Sequence, residues 1–241
     1  MSQYLVRTGQ KVDLDDFDPD DTSLLPGGKA EAQEQLAAIV ERLAEVQELL
    51  FAGHERALLI VLQGMDTSGK DGTIRHVMRG FNPQGTRVVS FRPPSEEDLG
   101  HDFLWRVHAK VPAKGETAVF NRSHYEDVLI VRVHDLVPKA VWRQRFDQII
   151  AFERMLYESG TVIMKFFLHI SRDEQRRRLQ ARVDDFQDLD RLGAVVHRAC
   201  QPEVVPEPSG RLHRGGDAAQ AAPQVPEVRP LERRGGVILK G

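Results

Sequence analysis

The sequence has few of the features that an exported or membrane-bound protein would need. Its 241 residues include one cysteine, Cys200, so no intrachain disulfide can form and no metal site can be built from thiolates alone. No apolar run approaches the roughly 20 residues of a membrane-spanning helix. The first residues lack the basic and apolar regions of a secretory signal. These absences predict a cytoplasmic location without membrane contact.

The sequence also lacks a large excess of one charge. The formal net charge is -3 at pH 7, and the aromatic residues, 7% of the chain, do not alternate with basic ones as they do in nucleic-acid-binding surfaces. A nucleic-acid partner is therefore not expected, and any site for a polyanion must be a local cluster. A hydrophobic content of 41% in 241 residues suffices for one α/β domain with a large core.

A glycine-rich loop follows a short apolar run at residues 58–62. The run has the length and β-branched centre of a strand buried on both faces, and the loop has the pattern Gly64-x-x-x-x-Gly69-Lys70. In such loops the glycines let several backbone N–H groups converge on a phosphate, and the lysine adds a positive charge. A helix beginning near Lys70 would direct its positive dipole end at the same anion. The order of strand, loop and lysine predicts a phosphate-binding site.

Two carboxylates accompany this loop. Asp66 lies inside it, and Asp71 stands after the lysine, where a Ser or Thr usually holds magnesium. A carboxylate beside phosphates is repelled unless a cation lies between them, and Mg²⁺ binds through one or two carboxylates together with phosphate oxygens. We therefore expect Asp66 and Asp71 to be metal ligands. The alternative is that Asp66 only shapes a turn and Asp71 only occupies the first turn of a helix.

Helices and strands are predicted to alternate after an extended acidic arm at residues 1–28. The predicted elements are a helix over 29–52, strands over 86–91 and 117–120, a helix over 138–158 and a strand over 161–170. This alternation predicts an α/β fold with a parallel sheet flanked by helices. The first helix is expected to pack against the sheet, with a dimer contact as the alternative. The segment that begins at Arg92 has two prolines that cannot continue a strand, and it is a candidate second-substrate loop.

Asn121 and Arg122 follow the predicted strand at 117–120, which should end at the same sheet edge as the glycine loop. A guanidinium placed there can grip phosphate with two hydrogen bonds, although an ion pair is the alternative. The run from Ser123 to Glu126 matches a helix capping box. Two roles of Glu126, capping the helix and binding a metal or nucleotide, are compatible, and the sequence favours neither.

A second capping-box pattern, Ser171-Arg-Asp-Glu174, opens an arginine-rich helix. Four arginines occupy seven positions, and Arg178 and Arg182 are one helical turn apart. A charge run of this kind is usually a solvated face. Beside a phosphate site it is instead consistent with a lid that neutralises transferring phosphates.

Three segments, taken together, resemble the polyphosphate kinase 2 family: Gly64-Met-Asp-Thr-Ser-Gly-Lys-Asp-Gly-Thr73, Phe120-Asn-Arg-Ser-His-Tyr-Glu-Asp127 and Lys165-Phe-Phe-Leu-His-Ile-Ser171. The resemblance covers about residues 4–185. It implies a P-loop kinase-like fold, similar to thymidylate kinase, with a helical lid. It also implies Mg²⁺-dependent phosphoryl transfer between inorganic polyphosphate and a nucleotide, and a homo-oligomer.

The resemblance also implies roles for single residues. Asp66 is similar to the family's metal and acceptor-phosphate carboxylate, Lys70 and Arg122 match its phosphate-gripping pair, and Arg178 falls in its lid helix. The residues expected to bind phosphate or nucleotide besides these three are Gly64, Gly69, Asn121, Glu126, Arg178 and Arg182. Asn121 and the residues after it look like the branch that phosphorylates nucleoside mono- and diphosphates. The expected substrates are therefore AMP and ADP, with guanine nucleotides as the alternative.

Residues 186–241 depart from the family. They contain six of the 13 prolines, seven of the 19 glycines and neither Trp nor Tyr, so they are predicted to be disordered. A frameshift in the gene or in the reported sequence is our hypothesis for this change. The predicted organisation is an arm at 1–28, a kinase domain at 29–185 and a tail. Two rival functions remain: a nucleoside monophosphate kinase that uses ATP, and a lid-defective protein that binds phosphate chains or nucleotides with little turnover.

Overall fold

The computed structural model describes residues 4–6, 9–23 and 27–199, with side chains up to residue 185. The α-helices are α1 (Gly28–Gly53), α2 (Lys70–Val77), α3 (Glu96–Leu99), α4 (Trp105–His108), α5 (Glu126–Val133), α6 (Lys139–Glu158) and α7 (Arg172–Ala199). The strands are β1 (Ala57–Gly64), β2 (Thr86–Ser90), β3 (Thr117–Asn121) and β4 (Thr161–Leu168). The chain divides into two compact units, Met1–Gly193 and Ala194–Gly241, and the fold described below is that of the first.

The four strands form one parallel sheet in the order β2-β3-β1-β4. In the register Leu62 pairs with Asn121 of β3, and Gly64 pairs with Leu168 of β4. The carboxyl ends of β1, β2 and β3 therefore meet at one edge, where an open α/β sheet binds its ligands. The predicted parallel sheet with flanking helices is confirmed.

The two central strands account for most of the core because both of their faces are covered. Leu59, Val119 and Phe120 have no exposed surface, and Val61 is 1% exposed. Complete burial of such a side chain contributes about 1.5–3 kcal/mol. Helix α6 covers one face with Phe152 and Leu156, and α2 supplies Ile74 to the other. A continuous apolar run such as β1 can therefore be only a central strand.

Helix α1 packs differently from the prediction. Its main partners are the two 3-10 turns Met78–Gly80 and Pro83–Gly85, and not the sheet. A Cβ at position 80 would lie 3.3 Å from Val40, so the bare glycine backbone lets the helix approach closely. Of its residues only Val40 and Gln47 are buried, while Val46 and Leu49 stay exposed. The apolar spacing identified the helix correctly but did not identify its partner.

Helix α7 continues past the predicted start of the tail at residue 186. Its backbone is helical to Ala199, and apolar residues recur at positions 183, 186, 189 and 192, a spacing that favours a helix over disorder. The rest of the predicted tail lies outside the described residues, so its disorder and the frameshift stay predictions. Among the described helices, none is long and apolar enough to cross a membrane.

Candidate active site

The loop between β1 and α2 needs glycine at both ends. Gly64 has φ of 152°, and a Cβ there would lie 2.7 Å from the Leu168 carbonyl oxygen and 2.7 Å from the Ser68 hydroxyl. Gly69 has φ of 99° and immediately precedes α2. L side chains rarely adopt these conformations, so the backbone itself selects glycine at the two predicted positions.

Lys70 is the first residue of α2 and is only 8% exposed. Its Nζ donates to the carbonyl oxygens of Gly64 at 2.8 Å and Met65 at 2.9 Å, and to Ser68 Oγ at 3.4 Å. Burial lowers the pKa of this ammonium, and the Arg122 guanidinium lowers it further. The loop therefore wraps around a desolvated positive charge at the N-terminus of a helix.

A cavity of about 320 Å³ opens in front of this loop. Its lining includes the loop residues 66–70, the start of α2 and the segment after β2, together with Asn121, Arg122 and Arg182. The structure thus gathers most of the predicted site residues around one space: Asp66, Gly69, Lys70, Asp71, Asn121, Arg122 and Arg182. Arg92 and Pro93, from the predicted second-substrate loop, also line the cavity. Gly64, Glu126 and Arg178 do not line the cavity.

Each of the two residues at the end of β3 holds one of the loop carboxylates. Asn121 Nδ2 donates to Asp71 Oδ1 at 2.6 Å, and Arg122 Nη2 donates to Asp66 Oδ1 at 2.7 Å. The Arg122 and Asp66 side chains remain 45% and 69% exposed, so this ion pair by itself adds little stability. Arg122 also has φ of 65°, an unfavourable conformation for a residue with a Cβ. These two bonds hold polar and charged side chains at the cavity and are not part of the hydrophobic core.

Asp66 and Asp71 are the residues that could hold a metal ion. Among the described residues no three or more His, Cys, Asp or Glu side chains are arranged to bind one. Two carboxylates on one cavity wall, beside a phosphate loop, nevertheless fit a cation that takes its other ligands from phosphate oxygens and water. The donor set is therefore compatible with a hard divalent cation that arrives with its substrate.

The capping box predicted at Ser123 does not form. Ser123 Oγ accepts from the Tyr125 backbone N–H at 3.2 Å and from Gln63 Nε2 at 2.8 Å, and α5 begins at Glu126 without a side-chain cap. The prediction failed because Ser123 is fully buried against β1, where another side chain takes its hydroxyl. Burial raises the pKa of Glu126 against the opposing attraction of Arg122 and Lys70. Glu126 is therefore electrostatically coupled to the cationic pair, just behind the cavity wall.

The first turns of α7 are bonded to the glycine loop. Gln175 Nε2 donates to the Asp66 carbonyl at 3.1 Å, and Arg178 Nη1 donates to the Thr67 carbonyl at 3.0 Å. The second predicted capping box is half formed: Ser171 Oγ caps the Glu174 N–H at 3.1 Å. The Glu174 carboxylate instead pairs with Arg177 and Arg178, whose hydrogen bonds hold its pKa at about 2.

These bonds separate the two predicted lid arginines. Arg178 is committed to the loop backbone and to Glu174, whereas Arg182, one turn later, lines the cavity. Of the two predicted lid arginines, Arg182 is therefore the one that lines the cavity.

Sequence reasoning missed a cluster of polar side chains behind the site, made of His124, Tyr125, Glu153 and Lys165. One signal was available in α6. Glu153 lies four residues after Ile149 and three before Leu156, so it occupies the helix face that those two residues bury in the core. A carboxylate on such a face needs partners.

The fold and the site together define the class of protein. A strand of a parallel sheet that runs through a glycine loop to a buried lysine at a helix N-terminus is the arrangement of P-loop kinases. Residues 27–188 match the family model for polyphosphate kinase 2. The chain belongs to the polyphosphate kinase 2 family. The match ends close to residue 185, where the resemblance was expected to stop.

Relatives and solved structures agree with this membership. The chain is 57% identical over 185 residues to an AMP/ADP-polyphosphate phosphotransferase of Meiothermus ruber, covering 77% of this chain and 69% of that protein. It is 46% identical over 195 residues to an ADP-polyphosphate phosphotransferase of Rhodopseudomonas palustris, covering 76% of this chain and 67% of that protein.

The crystal structure of Polyphosphate Kinase 2 from Arthrobacter aurescens TC1 superimposes with a TM-score of 0.71 at 46% identity, covering 74% of this chain and 64% of that one. The chain thus spans about two thirds of the length of these proteins. Membership of a family of kinases implies a divalent metal ion.

Proposed function

We propose that this protein transfers phosphoryl groups between inorganic polyphosphate and AMP or ADP, with Mg²⁺ as the divalent cation. The observation that carries the proposal is the pairing of charges at one cavity. Lys70, Arg122 and Arg182 supply positive charge there, and Asp66 and Asp71 supply carboxylates that phosphates would repel without a metal ion. The names of the relatives indicate polyphosphate and adenine nucleotides as the substrates.

Phosphoryl transfer requires positioning and charge neutralisation more than covalent chemistry from the protein. Lys70 and Arg122 grip the phosphates from two sides, because one lies on the loop and the other at the end of the neighbouring strand. The guanidinium has five N–H donors, so Arg122 can keep its bond to Asp66 and still donate to a phosphate. Arg182 approaches from α7 and shields the reacting phosphates from water.

Asp66 and Asp71 would hold Mg²⁺, and the ion would neutralise phosphate charge when bound. Asn121 orients the Asp71 carboxylate through its amide N–H. Glu126 stays a predicted nucleotide-binding residue: it interacts electrostatically with Lys70 and Arg122, although it does not line the cavity. Arg178 supports this arrangement from behind through the loop backbone.

Several wider predictions stay with this proposal. They are adenine nucleotides as substrates with guanine nucleotides as the alternative, the homo-oligomer, the cytoplasmic location and the division into an arm at 1–28, a kinase domain at 29–185 and a tail. The lid-defective alternative also stays a prediction.

The decisive test is ATP formation from ADP, long-chain polyphosphate and Mg²⁺ by the purified chain. We expect activity that requires polyphosphate and disappears on Lys70→Ala. Phosphorylation of AMP by ATP in the absence of polyphosphate would instead indicate an ordinary nucleoside monophosphate kinase. A folded protein that binds tripolyphosphate but forms no ATP would indicate the lid-defective alternative.

A further inference from the structure

The turn after β3 carries two residues that interact with Lys70 and buries two of the three residues between them. Arg122 and Glu126 are the two that interact with Lys70. The intervening Ser123 and His124 have no exposed surface. Position 127 is anchored as well, since Asp127 accepts from Arg106 at 3.1 Å. Buried anchors and site residues thus alternate within one short segment.

The central anchor is a carboxylate on another helix. Glu153 of α6 accepts from Tyr125 Oη at 2.7 Å, from His124 Nε2 at 3.3 Å and from Lys165 Nζ at 2.7 Å. Lys165, on β4, also donates to Tyr125 Oη at 3.0 Å. The four side chains form the anchor cluster, which ties the turn after β3 to α6 and β4.

The centre of the anchor cluster is largely desolvated, whereas Lys165 is 49% exposed and His124 Nδ1 has no hydrogen-bond partner among the described residues. The Glu153 side chain is 13% exposed. Burial opposes its ionisation, but the hydrogen bonds from His124, Lys165 and Tyr125 outweigh burial and hold its pKa at about 2. A buried ion pair is a costly way to attach a helix, and apolar side chains of similar size often stabilise a fold as well or better. What an ionic cluster adds is a defined geometry.

The turn has a specific need for such geometry. Arg122 sits at φ of 65°, a strained conformation that persists only when surrounding contacts impose it. On the β1 side, the Arg122 N–H donates to the Leu62 carbonyl at 3.1 Å and Gln63 holds Ser123. On the opposite side, the restraint comes from the anchor cluster.

We propose that Glu153, supported by Lys165, is a positioning residue for the phosphoryl transfer: it fixes the turn so that the Arg122 guanidinium faces the cavity beside Lys70. This inference rests on the proposed function, and it adds a residue that contacts no substrate. Glu153 acts through Arg122, so its contribution to phosphate binding and turnover depends on the guanidinium being present.

A double-mutant cycle tests this dependence, with Glu153→Gln, Arg122→Met and the double variant. For each protein we would measure kcat and KM with ADP and polyphosphate, tripolyphosphate affinity by calorimetry, and the unfolding temperature. Glu153→Gln is expected to lower kcat and tripolyphosphate affinity by about tenfold in the wild-type background, and by less than about twofold when Arg122 is absent. The loss of unfolding temperature should be the same in both backgrounds.

The matched control is Glu116→Gln, which disrupts the 3.3 Å ion pair between Glu116 and Arg87. Neither of these residues lines the cavity. The control variant should leave kcat and tripolyphosphate affinity unchanged. Should Glu153→Gln fail to fold, Tyr125→Phe removes one hydrogen bond to the same carboxylate and keeps the ring. It should show the same dependence on Arg122 with a smaller loss.

The outcomes separate this inference from the proposed function. A full Glu153→Gln penalty in the Arg122→Met background, or a penalty no larger than that of Glu116→Gln, would refute the positioning role while the wild-type chain remains active. If the wild-type chain binds tripolyphosphate without turnover, the double-mutant cycle measured on tripolyphosphate affinity tests the positioning role by itself. A wild-type chain that neither turns over nor binds would refute the proposed function, and this inference with it.

Discussion

The glycine loop and the turn after β3 both face the cavity, but different interactions hold them in shape. The loop is shaped by its own residues: glycines at 64 and 69 accept the backbone conformation, and Lys70 bonds back to the carbonyls of Gly64 and Met65. The turn has a non-glycine residue, Arg122, in a left-handed conformation, and distant side chains restrain it. The shape of the loop can therefore be predicted from its local sequence, whereas the shape of the turn depends on side chains that are distant in the sequence.

The largest effect is expected when the lysine of the glycine loop is removed. We expect Lys70→Ala to lower ATP formation by about 10³-fold or more, because a desolvated positive charge aimed at phosphates is lost. Coupled ATP detection measures the effect, with thermal unfolding to verify the fold. Lys110→Ala, at an exposed position, is the control and should keep full activity. Activity of Lys70→Ala within a few-fold of wild type would contradict the assigned phosphate site.

A pair of glycines tests whether the loop carries its own shape. Gly64→Ala should destabilise the fold by about 2–4 kcal/mol, because its Cβ would collide with the Leu168 carbonyl and the conformation is strained. Gly72→Ala, inside α2 with open space around its Cβ, should instead stabilise by about 0.5–1 kcal/mol. Urea unfolding of both variants measures the contrast. Equal effects would show that the loop backbone is not restrictive.

The turn after β3 can be probed without changing its charge. Arg122→Lys should lower kcat/KM by about 10- to 100-fold, because a lysine cannot keep Asp66 and also grip a phosphate with a planar fork of donors. Arg87→Lys changes a surface ion pair in the same way and should have no effect on turnover. Wild-type kinetics for Arg122→Lys would show that only the charge matters there.

Stability as a function of pH tests the anchor cluster that restrains the turn. The pKa of Glu153 falls from 4.5 to about 2 on folding, so its ionised form stabilises the native state above pH 4.5 and this contribution disappears as the pH falls toward 2. Glu153→Gln should therefore cost on the order of 2–3 kcal/mol at pH 7 and progressively less toward pH 3.

Urea unfolding at several pH values, beside Glu116→Gln, measures this difference. A Glu153→Gln penalty that does not change with pH would show that the carboxylate stabilises the fold by shape and not by charge.

Local patterns were sufficient for the loop, the four strands and the parallel sheet, because short β-branched and aromatic runs and the need for glycine leave direct traces in the residues. They were insufficient for the partner of α1, which packs on two turns and not on the sheet. They also assigned Ser123 to a helix cap, although burial gives its hydroxyl to Gln63. A motif shows what a residue can bond to, and packing selects which bond it makes.

The sequence by itself determined where a phosphate loop forms, since Gly64, Gly69 and Lys70 supply the loop's backbone conformation and its bonds to the lysine within one short segment. Only the tertiary structure decided which groups face one another across the site. The Asn121–Asp71 and Arg122–Asp66 bonds join residues 50 and 56 positions apart, and the Tyr125–Glu153 bond spans 28. Such pairs exist because β3 lies beside β1 and α6 covers their face, and hydrogen bonds act only over contact distances.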